Sequence, residues 1–204
     1  MTSPIFALCD EYVSRSAALD PVAAGAAGIA VEFAAASDYS PEGHAARAAL
    51  IGETLRRLAS LQPRCEADVQ AAAHLRERLE AESASHEIGE PLCAVQAPFG
   101  LITDLRDSVD LLPRGTDDQW RDVAARLAAI PLMLDGWRTS LETGLAQGTR
   151  AARRQALESA VQADILAGGG THEALVTGYG DGPVLGELAG GAAAAHAAYA
   201  EAAR

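Results

Sequence analysis

Two His-Glu pairs are the residues of this sequence whose types come closest to a catalytic motif. His86-Glu87 and His172-Glu173 each match the first half of the pattern HExxH. In that pattern two histidines four residues apart on one helix face bind zinc, and the glutamate acts as the general base. The fifth position is Glu90 in one case and Val176 in the other. We therefore predict no catalytic, cofactor-binding or metal-ligating residue in this chain.

Every histidine also has a structural interpretation. His86 lies near a predicted helix C-terminus, where a protonated imidazole would complement the helix dipole. His172 lies beside a glycine run, in a loop or at a helix start. His44 and His74 are isolated, and His196 lies beside an apolar stripe, where we expect a partly buried, hydrogen-bonded ring.

The cysteines and the overall composition exclude several classes of protein. Cys9, Cys65 and Cys93 are odd in number and far apart, which favours buried thiols in the reducing cytoplasm over disulfides or a zinc knuckle. All sixteen basic residues are arginine, and the net charge of -12 argues against nucleic-acid binding. No uninterrupted apolar run of about 18 residues occurs, so no membrane span is predicted.

The apolar residues recur at helical spacing, and no alternating strand pattern occurs. We predict an all-α fold, an antiparallel array of about seven helices. Since aromatic residues make up only 4% of the chain, the core must consist mainly of Ala, Leu and Val. Start signals are Asp20-Pro21, Ser40-Pro41, a capping box formed by Thr116 and Gln119, and Thr149.

The longest helical segment runs from Thr116 to Gly148. Trp120 and Trp137 lie on its apolar stripe and are predicted to pack in the core. Pro131 lies inside the segment, where it removes a backbone hydrogen bond, so we expect a kink or a break there.

Glycines divide the remaining chain into three parts: a helical domain at 1–167, a glycine-rich flexible connector at 168–183 and a C-terminal helix at 184–204 that we expect to be cut short. No Gly-Lys-Ser/Thr follows the glycines, so a phosphate loop is not favoured. We expect apolar surface on the last helix and on the preceding one, and self-association or association with a missing C-terminal half through it. The residues concerned are Leu188, Ala192, Ala195 and Tyr199, with Leu157, Val161 and Ile165.

Five segments in the second half of the chain carry a family resemblance. They are LRDSVDLLP at 105–113, TDDQW at 116–120, VAARLAAIP at 123–131, SLETGL at 140–145 and AARRQ at 151–155. Their order resembles the N-terminal half of the bacterial "domain of unknown function 885" family. The resemblance extends from residues 6–8 to Tyr199 and is specific between about Arg76 and Gln155.

Members of that family look like gluzincin-type zinc metallopeptidases, whose HExxH helix lies well downstream of this region and whose helical N-terminal portion shapes a deep cleft. The resemblance implies a non-catalytic, cleft-forming helical portion. Zinc and a peptide substrate are expected only in a full-length relative, because none of the family's zinc ligands can be placed on a residue of this chain. The alternative is a self-contained helical module that binds a protein or a small ligand.

Arg106, Asp107 and Asp110 lie in the family-like segment and have two possible roles. Arg106 and Asp110 are four residues apart and can pair on one helix face. A structural ion pair is the favoured interpretation, and a substrate contact is the alternative.

Overall fold

The computed structural model describes residues 3–29 and 35–204, and these residues form helices and connections without a strand. The predicted all-α fold is confirmed. Nine α-helices lie in these two ranges, where about seven were predicted. They are α1 (Pro4–Leu19), α2 (Pro21–Ala26), α3 (Pro41–Ser60), α4 (Glu66–Glu87), α5 (Leu101–Asp110), α6 (Asp117–Gln147), α7 (Arg153–Ala167), α8 (Gly170–Tyr179) and α9 (Leu185–Ala202), and a short 3-10 helix spans Glu90–Leu92. Over the same ranges, no helix combines the length and the apolar character needed to cross a membrane.

Local capping explains where α2 and α3 begin. The Asp20 carboxylate accepts a hydrogen bond from the Ala23 backbone N–H at 3.1 Å, and the Ser40 hydroxyl accepts one from the Gly43 N–H at 3.2 Å. Each cap is followed by a proline at the first helical position, which has no N–H to leave unsatisfied. Both predicted start signals are confirmed.

The predicted capping box at the start of α6 is only half formed. The Thr116 hydroxyl accepts a hydrogen bond from the Gln119 N–H at 3.3 Å, as expected. The Gln119 side chain reaches one residue further back and accepts from the Gly115 N–H at 2.6 Å, instead of from Thr116. Helix α6 then continues for 31 residues, through Pro131, so the chain does not break at that proline.

Helix α6 ends in a Schellman motif, which corrects the predicted start of α7. Gly148 has a φ of 85°, and its N–H bonds to the Leu145 carbonyl at 3.1 Å. The Thr149 N–H bonds to the Gly144 carbonyl at 2.9 Å. Thr149 therefore belongs to the end of α6, and α7 begins only after Ala152, without a side-chain cap.

The segment expected to be a flexible connector contains a helix. Gly169 precedes α8 and Gly180 follows it, with φ angles of 96° and 74°. Glycine adopts such positive φ angles without steric cost, so the two residues separate α8 from the helices before and after it. Between them, His172 and Leu175 are buried. The glycines thus delimit a packed helix, and they do not form a continuous flexible stretch.

The main core lies between α6 and α9, which make the most extensive helix contact of the described chain. The apolar stripe of α9, expected to be exposed, is instead buried against α6, and this prediction is wrong. The buried residues are Leu188, Ala192, Ala195 and Tyr199 on α9 and Val123, Leu127, Ile130 and Met133 on α6. Trp120 and Trp137 pack at the edge of this core, as predicted. A second, smaller cluster joins α1 to α3 through Ile5, Leu8 and Leu58.

Gly191 explains why α9 can cover α6 so closely. A Cβ atom at Gly191 would lie 2.7 Å from the Ala124 carbonyl oxygen and 3.1 Å from the Leu127 Cβ. At Gly190, one position earlier, a Cβ atom would meet nothing within 4 Å. The two helix backbones therefore approach each other where the side chain is absent.

We predict opposite effects of alanine at these two neighbouring glycines. Gly191→Ala should lower the free energy of unfolding by about 1–3 kcal/mol, because α9 must move away from the α6 backbone. Gly190→Ala should raise it by about 0.5–1 kcal/mol, because alanine favours the helix and has open space. Urea denaturation measures both, and equal stabilisation by the two changes would contradict the close helix contact.

Candidate functional site

A groove with a volume of about 840 Å³ lies between α6, α7 and α9. Volumes of about 300–1,000 Å³ with mostly apolar walls are typical of ligand sites. The α6 wall runs from Pro131 to Leu141 and includes Leu132, Leu134 and Trp137. The other walls are Arg153, Ala156, Leu157, Ser159 and Ala160 of α7, Ala198 and Glu201 to Arg204 at the end of α9, and the nearby Val95 and Ile102.

Large apolar side chains are exposed in and beside this groove. Leu132 on α6 is 68% exposed, and Leu157 on α7 is 52% exposed. Val161 and Ile165 follow Leu157 at intervals of four residues and are also exposed, as predicted for this part of the chain. We refer to Leu157, Val161 and Ile165 as the α7 face.

The α7 face is exposed because the opposite side of α7 packs against the chain around residues 96–98. The Gln155 amide oxygen accepts a hydrogen bond from the Ala97 N–H at 2.7 Å. The Ser159 hydroxyl donates to the Gln96 carbonyl at 3.2 Å, and the Gln162 amide donates to the Pro98 carbonyl at 3.0 Å. These bonds, with the buried Ala163 and Leu166, fix the rotation of α7, so that its apolar face points away from the core.

Charged side chains of both signs border the groove. Arg138 pairs with Asp135 at 2.5 Å and with Glu201 at 3.6 Å, and Glu201 also pairs with Arg204 at 2.8 Å. Arg153 is exposed and makes no ion pair with the rest of the described chain. The lining thus carries three arginines against two carboxylates, in a chain whose net charge is -12.

Two histidines that the sequence analysis treated as separate lie together where α8 packs against α9. The ring centroids of His172 and His196 are 5.0 Å apart, and His172 stacks on Tyr199 at 5.7 Å. His172 is fully buried, and within the described residues neither of its ring nitrogens has a hydrogen-bond partner. His196 is partly buried, as predicted, but its Nε2 also lacks a partner in that part of the chain. Burial lowers the pKa of His172 to about 4, with a further lowering by His196, because neither water nor an acceptor stabilises the charged ring.

A second pair, His44 and His86, faces across α3 and α4 with centroids 6.4 Å apart. Arg47 donates to the His44 Nδ1 at 2.9 Å, so the proton of the neutral ring is on Nε2. Burial and Arg47 lower the pKa of His44 to about 4, and burial lowers that of His86 as well. The expected protonated His86 at the C-terminus of α4 is therefore disfavoured, because the neighbouring arginine opposes the charge.

A buried polar network connects α2 to α6. The Ser37 hydroxyl donates to the Asp20 carboxylate at 2.6 Å and accepts from the Val22 N–H at 3.1 Å. Arg126 of α6 is only 2% exposed, and burial lowers its pKa while the nearby Tyr39 and Asp20 oppose that shift. This network stabilises the packing of α2 on the core.

Arg106, Asp107 and Asp110 form a half-exposed ion-pair group on α5. The Arg106 Nε lies 3.9 Å from an Asp110 carboxylate oxygen, so the predicted pair is present, but it donates more closely to Asp107 at 2.8 Å. Asp110 in turn accepts from Arg114 at 3.2 Å. None of the three lines the groove, and the structural interpretation accounts for all their contacts.

The cysteines and the acidic side chains suggest no further centre. All three cysteines are free, but Cys65 is exposed and Cys9 and Cys93 are only partly buried, so the expectation of buried thiols is wrong. Within residues 3–29 and 35–204, no three His, Cys, Asp or Glu side chains are placed to hold a metal ion. The described residues thus form an apolar groove and two histidine pairs.

The match to known sequence families covers nearly all of these elements. Residues 21–204 match the sequence profile of the family described as "Bacterial protein of unknown function (DUF885)". The chain belongs to the DUF885 family. Of the elements above, only α1 lies outside the matched range. A search of curated proteins finds no match to the chain.

The groove was only partly predictable for this DUF885 chain. The α7 face was expected from its spacing, but α7 and α8 separate α6 from α9 in the sequence, and no local pattern connects those two helices. In the sequence Arg153 is one residue of the family-like segment at 151–155, and its position beside the groove was not predicted. The His172–His196 pair was missed because α8 lies in the segment expected to be a connector.

We predict that acid destabilises the protein through His172. Because the folded-state pKa of about 4 lies below the ordinary value of 6.5, the unfolded chain takes up the proton first. The contribution of neutral His172 is complete above pH 6.5 and is lost as the pH falls towards 4, by about 3 kcal/mol at most. His172→Phe should remove this part of the pH dependence of unfolding, whereas His74→Phe, at an exposed position, should not. An unchanged pH profile in His172→Phe would contradict the prediction.

We also predict that the isolated chain does not bind zinc stoichiometrically. Zinc sites in proteins use three or four protein ligands, whereas each histidine pair brings only two imidazoles together. Elemental analysis of the purified, tag-free protein measures this directly. Nearly one zinc ion per chain would show that the prediction is wrong.

Proposed function

We propose that this chain is a non-catalytic helical module that binds an apolar polypeptide segment, from outside the described helices, in the groove between α6, α7 and α9. The observation that carries the proposal is the groove itself, about 840 Å³ in volume, with Leu132 and Leu157 exposed on opposite walls. Contiguous apolar surface of this kind is usually kept for interfaces. The side chains around it bind and orient, since none of them forms a nucleophile–base pair or a set of metal ligands.

The family resemblance suggests the setting in which such a module would act. In a protein similar to a gluzincin-type metallopeptidase, this chain would be the cleft-forming helical portion, and the zinc site would lie in another part of the polypeptide. The groove would then receive a segment of that part. Zinc and a peptide substrate belong to the full-length relative in this proposal and not to the residues of this chain.

A self-contained binding module is the second candidate, and the structure offers one observation in its favour. The apolar stripe of α9 is buried against α6, so this helix needs no further partner to cover its apolar residues. Under this candidate the groove is a binding site for a separate protein or small ligand. Both candidates depend on the same groove and differ in whether the occupant is encoded in the same reading frame.

We predict that the groove binds a small apolar probe and that a charge placed in its wall prevents this. Anilinonaphthalene sulfonate should bind with a saturable increase in fluorescence. Leu157→Glu should weaken binding by about tenfold or more, because burying a leucine side chain contributes about 1.5–3 kcal/mol.

Ile88→Glu is the matched control, since Ile88 is 75% exposed at the end of α4, outside the groove. It introduces the same charge on an apolar side chain and should leave probe binding unchanged. Equal loss of binding in both variants, or no saturable binding by the unaltered chain, would contradict the proposed function.

A further inference from the structure

We propose that the occupant of the groove is an amphipathic α-helix from another polypeptide segment, with acidic residues beside its apolar face. The inference rests on the proposed function and specifies the kind of partner. It follows from the shape of the groove, from the spacing of its apolar side chains and from the charges on its border.

The walls of the groove have the dimensions of a helix-packing site. The α6 wall extends from Pro131 to Leu141, which is eleven residues and about 15 Å from first to last at the rise of an α-helix. Small residues line the α7 and α9 walls, where a partner backbone can approach closely. They are Ala156, Ala160, Ala198 and Ala202. Three helices thus form a trough about three turns long, and a fourth helix fits it.

The exposed apolar side chains repeat at the interval that packed helices use. Leu157, Val161 and Ile165 are four residues apart, so they form one of the ridges that fit between the side chains of a neighbouring helix. Of these three side chains Leu157 lines the groove, and Val161 and Ile165 continue the ridge along α7 beyond it. An extended peptide, whose side chains alternate every two residues, would not match this interval.

The charges on the border determine the sign of the partner. Arg153 has no acidic partner in the described chain. Arg138 and Arg204 both pair with Glu201, and Arg138 also pairs with Asp135. Arg154 adjoins Arg153 in sequence, and Arg150 precedes it by three residues. An acidic side chain on the partner helix would therefore form an ion pair with Arg153 at the α7 border, and a basic side chain there would be repelled.

The same charges argue against a second copy of this chain in the groove. The α7 face is the longest exposed apolar ridge of the described residues, but Arg153 and Arg154 precede it on the same helix. If α7 of one copy lay along the groove of another, arginines would face arginines at the border. Like charges brought together in this way disfavour the pairing.

Three synthetic, fluorescein-labelled peptides of about 15 residues test the proposal by fluorescence anisotropy. The first has leucines four residues apart on an alanine helix with glutamates beside them, and the second replaces the glutamates by lysines. The third has the sequence of the first with a central proline, which breaks the helix. The glutamate peptide should bind to the unaltered chain about fivefold or more tightly than either of the others at low salt, and added salt should reduce its advantage over the lysine peptide.

Arg153→Glu should remove or reverse the preference for glutamate over lysine. Arg76→Glu makes the same change of charge on an exposed part of α4 outside the groove, and should leave the preference unchanged. Equal binding of the proline peptide would mean that an extended segment is the occupant, and equal binding of the lysine peptide would overturn the charge argument. Sedimentation showing a dimer that Leu157→Glu dissociates would mean that a second copy occupies the groove.

The probe experiment tests the proposed function, and the peptide experiments test the kind of occupant, so the two can fail independently. If anilinonaphthalene sulfonate binds and Leu157→Glu abolishes its binding, the groove is a binding site whatever the peptides do. If the probe binds in this way and the glutamate peptide does not, only the assignment of an acidic amphipathic helix is wrong.

Discussion

The close approach of α9 to α6 at Gly191 is the contact around which the other helices are arranged. A side chain at this position would meet the α6 backbone at Ala124, so the contact depends on the absence of a single Cβ atom. With few aromatic residues available, alanine, glycine and leucine must fill the core by bringing helices near to each other, and not by inserting large rings. Leu188 and Tyr199 are fully buried as a result, and α5, α7 and α8 pack around the pair.

The groove follows from how α7 joins this pair. Helix α7 contacts α9 and uses the polar side chains Gln155, Ser159 and Gln162 to bind the chain at residues 96–98. Those bonds pair side chains of α7 with backbone groups of residues 96–98, and they fix the rotation of α7. Its leucine and its β-branched residues then face outward, and a trough remains beside α6. The same hydrogen bonds that attach α7 therefore create the surface to which we assign binding.

Local signals in the sequence predicted the helices well, and tertiary contacts account for most of what they missed. Ser40-Pro41 and Asp20-Pro21 each marked a helix start correctly, because a cap is formed by neighbouring residues. Thr149 was misassigned because it belongs to the Schellman motif that ends α6, and α7 begins only at Arg153, four residues later. The apolar residues of α7 and α9 have similar helical spacing, yet those of α7 are exposed and those of α9 are buried. Gly191 allows α9 to pack closely on α6, and hydrogen bonds between residues about 60 positions apart fix the rotation of α7. Helical spacing in the sequence predicts neither contact. The His172–His196 pair has the same origin, since a helix delimited by glycines brings the two rings together.

The central claim is that binding occurs in the groove between α6, α7 and α9, and methyl NMR locates binding most directly. In a protein labelled at Leu, Val and Ile methyl groups, titration with anilinonaphthalene sulfonate should shift the methyl signals of Leu132, Leu141 and Leu157. The signals of Val69 and Ile88, exposed on and at the end of α4, should remain unchanged. Shifts at Val69 or Ile88 as large as those in the groove would contradict the account.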